Sequence, residues 1–190
     1  MTRRRIAALA ALLVVSSTSL AFAHQGVVHT GCPTGQNFTQ GGITVTGAYV
    51  RATPKGAQSA GAYITVFNGG AEADTLTGAT SEAATDISLH VMKMEGNVMK
   101  MDAVEGGLPV PPGGTATLDP MGYHLMLTGM GQQFVEGQCV LMTLHFAKAG
   151  DVPIELNIGS FSQSAPPTGT PPAASSMPPM DMSGMSSMAM

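Results

Sequence analysis

The chain has 190 residues, with 8 Lys+Arg against 12 Asp+Glu, two cysteines, fifteen methionines and no tryptophan. That acidic balance offers no basic surface for nucleic acid or an anionic membrane. The length suits one domain around a single core.

Residues 1–23 have the layout of a secretory signal peptide. Arg3, Arg4 and Arg5 form a positive start, Ile6 to Val15 is apolar, and Ala21-Phe22-Ala23 is a small-x-small cleavage site. The apolar run is short for a permanent span, so no stable membrane insertion is expected after cleavage; a retained anchor is the alternative. Cleavage leaves five basic residues against twelve acidic ones, a net charge near −7. It also exposes His24 as the new N-terminus, where the terminal amine and the imidazole together chelate Cu(II), with His29 near enough to join. A frayed polar end that binds nothing is the plainer reading. Residues 24–39 form an N-terminal extension that carries His24, His29 and Cys32. Cys32 and Cys139 are the only cysteines. In an exported protein such a pair is expected as a disulfide, with an intermolecular bridge or a reactive thiol as alternatives.

Residues 40–160 are predicted to form one β-domain. Glycines and prolines break the chain into short runs, and strands are expected at 43–51, 60–68, 75–79, 86–94, 98–104, 115–118, 124–128, 139–147 and 152–158. Val140, Met142, Leu144 and Phe146 fall on one face of a strand, and Leu141, Thr143 and His145 on the other. Short strands at this spacing indicate a β-sandwich or barrel. Met121, Met130 and Met142 are expected as core filler, and His145 as a solvent-facing structural residue. Met92, Met94 and Met99 fit either a shield around a site or transient ligands.

Four residues carry the chemistry: His90, Met101, His124 and Met126. They read as His-x10-Met, then twenty-two residues, then His-x-Met. Neutral imidazoles and thioethers form a soft, uncharged set that suits Cu(I). Thioethers do not protonate, so such a site resists acid better than a thiolate site. Period-two geometry puts His124 and Met126 on one strand face. A hairpin turning at Glu95-Gly96-Asn97 would bring Met101 back beside His90. No hard-cation cage, nucleophile elbow or zinc motif is present, so no enzyme activity is expected. A blue-copper site needs a Cys thiolate with two His, and the order Cys139, Met142, His145 does not provide it.

Residues 161–190 form a Pro/Ser/Met-rich tail that is expected to be disordered. Met177, Met180, Met182, Met185, Met188 and Met190 all fall in its last fourteen residues. Their spacing suits a loose thioether trap for copper; accidental compositional bias is the alternative.

From Ile43 to Gly159 the chain resembles the periplasmic copper chaperone family PCu(A)C, a DUF461 domain. Four passages carry the resemblance: 46–53 (TGAYVRAT), 60–63 (AGAY) with Asn68, 89–101 around His90 and Met101, and 120–127 (PMGYHLML). Tyr49 stands where the family commonly has Trp, and Met121 where Gly is common. The resemblance implies a cupredoxin-like Greek-key β-sandwich and a Cu(I) site at His90, Met101, His124 and Met126. It implies a periplasmic carrier that passes copper to cytochrome c oxidase subunit II or to a Sco-type copper protein; the chain is expected to be a monomer. Copper sequestration through the same site and the tail is the competing function.

Overall fold

The computed structural model describes residues 28–166, and every regular element among them is a β-strand. In chain order these are β1 (Val28–Thr30), β2 (Phe38–Gln40), β3 (Ile43–Arg51), β4 (Ser59–Asn68), β5 (Asp74–Thr80) and β6 (Asp86–Glu95). Then follow β7 (Val98–Ala103), β8 (Leu108–Val110), β9 (Thr115–Thr117), β10 (Tyr123–Thr128), β11 (Gln138–Phe146) and β12 (Gly150–Gly159). Among the described residues no helix is long and apolar enough to cross a membrane.

The strands join in the order β7-β6-β10-β4-β3-β12-β11-β5-β8, with β1 on β11, β2 on β3 and β9 on β4. All pairs are antiparallel except β3 with β12. The sheet folds over on itself, so β5 comes to lie near β6 and both halves share one core. Alternation along each strand decides what enters that core. Leu125 and Leu127 of β10, Ile64 and Val66 of β4, and Leu144 and Leu156 from β11 and β12 are all buried. Their sequence neighbours occupy the outer face.

One irregularity matters for the outer face. Ile43 and Val45 point into the core at the start of β3, but Ala48 and Val50 do so at its end, so the parity changes in between. A bulge lies there, where the pairing shifts between Thr46 and Tyr49, and Gly47 within it has φ +61°. Glycine takes that left-handed backbone at little cost. The extra residue turns Tyr49 to the outer face, opposite Tyr63 of β4, where the rings lie 5.0 Å apart. The segment after β12 shields this region. Arg51 Nε donates to the Gln163 carbonyl at 2.7 Å, and the Arg51 guanidinium lies 5.4 Å from the centre of the Tyr63 ring.

Nine of the strands follow the sequence expectation closely. β1, β2 and β8 were not expected: each has three residues, too few to show a period. β1 and β2 lie before residue 41 and nevertheless hydrogen-bond into the same sheet. Met130 and Met142 are buried in the core. Met121 is not core filler, because it is 71% exposed in the tight loop before β10. There its backbone N–H donates to Asp119 Oδ1 at 2.8 Å.

Candidate metal centre

β6 lies between β7 and β10, and pairing places the candidate residues side by side. His124 of β10 is directly opposite His90 of β6. Met101 of β7 is opposite Met92, one pleat along from His90 on the same face. Met126 is two residues beyond His124, opposite Ser88 and Gly61 on β10's two neighbours. All four side chains therefore belong to the outer face of one edge of the sheet, behind which Leu89, Leu125 and Leu127 fill the core.

His124 is the anchored member, only 6% exposed. Its Nδ1 lies 3.2 Å from the Gly122 carbonyl oxygen. A carbonyl can only accept, so Nδ1 carries the proton and Nε2 keeps its lone pair in the neutral ring. Nε2 lies 3.3 Å from Met101 Sδ. Two ligands each about 2.0–2.3 Å from one metal at a tetrahedral angle lie about 3.5 Å apart, so this separation fits a pair sharing an ion. The His90 and His124 rings stack with centroids 6.0 Å apart. His90 Nε2 lies 3.0 Å from Ser88 Oγ, while its Nδ1 is buried and has no hydrogen-bond partner among the described residues. Such an orphaned nitrogen is costly, and a bound metal would supply the missing partner.

The electrostatics favour neutral ligands. Burial chiefly holds the His124 pKa below the ordinary histidine value, and nearby His90 lowers it further, against the raising effects of the Gly122 carbonyl and Asp119. The charged residues of the β6–β7 hairpin pair among themselves, Lys93 with Asp102 and Lys100 with Glu95. Met101 is 46% exposed, so the outer rim of the site is open to solvent while its inner wall is protein.

Ser88, Gly122 and Tyr63 were given no part in the site from sequence, although Tyr63 and Gly122 lie in passages that carry the resemblance. Ser88 had a legible signal, being two residues before His90 and thus on its face. Tyr63, 6.5 Å from the His124 ring, lies in the 60–63 passage of the resemblance, but its place beside His124 depends on the β4–β10 pairing. Among the auxiliary candidates, His29 is not near this site. It lies on β1 opposite Cys139. Cys32 and Cys139 form a disulfide with Cα atoms 5.7 Å apart. His24 and Met177, Met180, Met182, Met185, Met188 and Met190 lie outside the described residues.

Fold and site together define a β-sandwich that gathers two histidines and two methionines on the outer face of one edge of its sheet. The family described as "Putative lipoprotein LpqE-like" matches residues 43–158, and the chain belongs to it. A Leifsonia xyli subsp. xyli protein named "Putative lipoprotein Lxx21020" is 31% identical over 121 residues, covering 64% of this chain and 72% of its own. Two solved structures share the fold. The copper-bound PCuAC domain from PmoF2 is 26% identical with a TM-score of 0.55, covering 66% of this chain and 98% of that one. The apo PCuAC domain from PmoF1 is 25% identical with a TM-score of 0.56, covering 66% and 99%. The β-sheet architecture is thus the cupredoxin-like one of PCuAC domains.

Proposed function

We propose that this protein is an exported Cu(I) carrier that binds one ion through His90, Met101, His124 and Met126 and releases it by ligand exchange. The observation that carries the reading is the 3.3 Å approach of His124 Nε2 and Met101 Sδ, with the His90 ring stacked 6.0 Å from that of His124 and its Nδ1 unpartnered among the described residues. The likeness to a copper-bound PCuAC domain supports the choice of metal. The ligand set adds no charge, which favours Cu(I) over divalent ions. The exposed Met101 is where an acceptor's ligand would enter, so the ion passes between proteins without becoming free. No chemical conversion is involved, and the protein is not an enzyme on this reading. Electron transfer of the blue-copper kind has no support, because Cys139 is held in a disulfide and offers no thiolate.

The compartment is the periplasm, reached through the signal at residues 1–23. The acceptor is a copper site under assembly, cytochrome c oxidase subunit II or a Sco-type protein. The relative's name calls it a lipoprotein. In this chain both cysteines are joined to each other, so neither sulfur is free to carry a lipid. The six methionines in the last fourteen residues favour sequestration as a second reading.

Competition titration against a Cu(I) chelator tests the site. His124→Ala and Met101→Ala should each abolish tight binding, and either variant retaining the parent affinity would overturn the assignment. Stoichiometry separates the two functions: about one copper favours delivery, several favour storage.

A further inference from the structure

A second cluster of ligand-type side chains lies far along the sheet from His90 and His124. His29 of β1 and Cys139 of β11 face each other in register, with His29 Nδ1 3.6 Å from Cys139 Sγ. On the neighbouring strand, Glu155 of β12 presents Oε1 3.4 Å from His29 Nε2. That oxygen is buried and makes no hydrogen bond among the described residues. Its companion Oε2 accepts from Gln36 Nε2 at 3.1 Å. Gln36 and Cys32 belong to the loop between β1 and β2, which covers the cluster. A shallow pocket lined by Gly35, Gln36, Gly47, Ala48, Glu155 and Asn157 opens beside it. The ligand atoms of His29, Cys139 and Glu155 all lie within 4.8 Å of one another.

We propose that Cys32, Cys139, His29 and Glu155 form a redox-gated site for Zn(II), closed while the disulfide stands and opened by a dithiol reductant. The chemistry balances. The dithiol attacks the disulfide, and its two sulfurs end joined to each other. Cys32 and Cys139 receive the two electrons and two protons. Zinc then displaces both thiol protons to solvent. Two thiolates, one imidazole and one carboxylate complete the four-coordinate set that zinc takes in structural sites. The carboxylate sets this site apart from the His/Met centre: a harder oxygen donor suits a borderline divalent ion and adds little for Cu(I). It also uses the buried Glu155 Oε1, which makes no hydrogen bond among the described residues and already faces His29 Nε2 at 3.4 Å.

The test uses the mature chain carrying His124→Ala, which weakens the other centre, in oxidised and dithiothreitol-reduced, desalted forms kept anaerobic. Zinc chloride is titrated against a chromophoric zinc chelator, with free thiols counted and far-UV circular dichroism followed. The reduced form should take one equivalent of zinc, and the oxidised form should bind at least about 100-fold more weakly. Adding His29→Ala or Glu155→Gln, which leave the disulfide intact, should weaken the reduced form's binding at least about tenfold. Equal zinc binding in both redox states would overturn the proposal. So would a reduced form that takes no zinc, a reduced form whose lost sheet signal zinc fails to restore, or unchanged binding in both added variants.

Discussion

Breaking the Cys32–Cys139 bridge should cost this fold a large share of its stability. The two cysteines are 107 residues apart, so the bridge closes a loop that holds most of the sandwich. In the chain-entropy treatment a closed loop of that length removes about 4.8 kcal/mol of unfolded-state freedom at 25 °C. Cys139 is fully buried, so a serine there would add the penalty of a buried hydroxyl. The cleaner variant is therefore Cys32→Ser with Cys139→Ala. For a domain of this size each kcal/mol moves the midpoint by about 2–4 °C, which puts the expected loss at about 10–19 °C. Thermal melts by circular dichroism measure it, with the wild-type protein also melted in dithiothreitol and chelator. Reductant should lower the wild-type midpoint to near that of the variant and leave the variant unmoved. If oxidised and reduced wild type melted within about 3 °C of each other, the loop-entropy reasoning would be wrong here.

The His124 environment sets a pH response. With its folded pKa depressed by burial, the unfolded chain takes up a proton first as pH falls. Stability linked to His124 is therefore fully present above pH about 6.5 and declines below it, until the folded pKa is reached. The same depression keeps Nε2 free for a metal at mildly acidic pH. An NMR titration of the His124 ring giving a midpoint at or above 6.5 would contradict both statements. Asn68 offers a test distant from the site. It is 2% exposed, its Nδ2 donates to the carbonyls of Glu72 (2.8 Å) and Val110 (3.0 Å), and its Oδ1 accepts from Gly70 N–H (2.9 Å). Asn68→Ala should cost about 2–4 kcal/mol in urea unfolding and leave copper affinity unchanged; a loss of affinity at full occupancy of the folded state would show coupling that the geometry does not contain.

The long strands were legible because their side chains alternate between a buried and a wet face, as in Val140 to Phe146. The same alternation foretold that His124 and Met126 share a face. The hairpin at Glu95-Gly96-Asn97 foretold β6 against β7. What sequence left open was which strand sits next to β6. The chain runs through β7, β8 and β9 before β10 arrives beside it, and that neighbour is chosen by long-range packing of Leu89 against Leu125 and not by any local signal. The β3 bulge was equally hidden, since a single glycine among many does not announce a change of parity. The burial of Cys139 depends on a cover formed by the loop that carries Cys32, and spacing alone does not reveal a lid. Met121 misled because a methionine in a strand-rich stretch reads as filler, whereas here it rides on a turn pinned by Asp119.

The pleat of β10 has a consequence for how such a protein can diverge. Along His124 to Leu127, the buried core side chains Leu125 and Leu127 alternate with His124 and Met126, which face the proposed copper site. Variation at His124 and Met126 can retune cargo preference while leaving Leu125 and Leu127 untouched, and variation at Leu125 and Leu127 can adjust robustness while leaving the cargo alone. Two selective pressures thus share four consecutive codons without competing for any of them, and a lineage can exchange one metal for another without first rebuilding its scaffold.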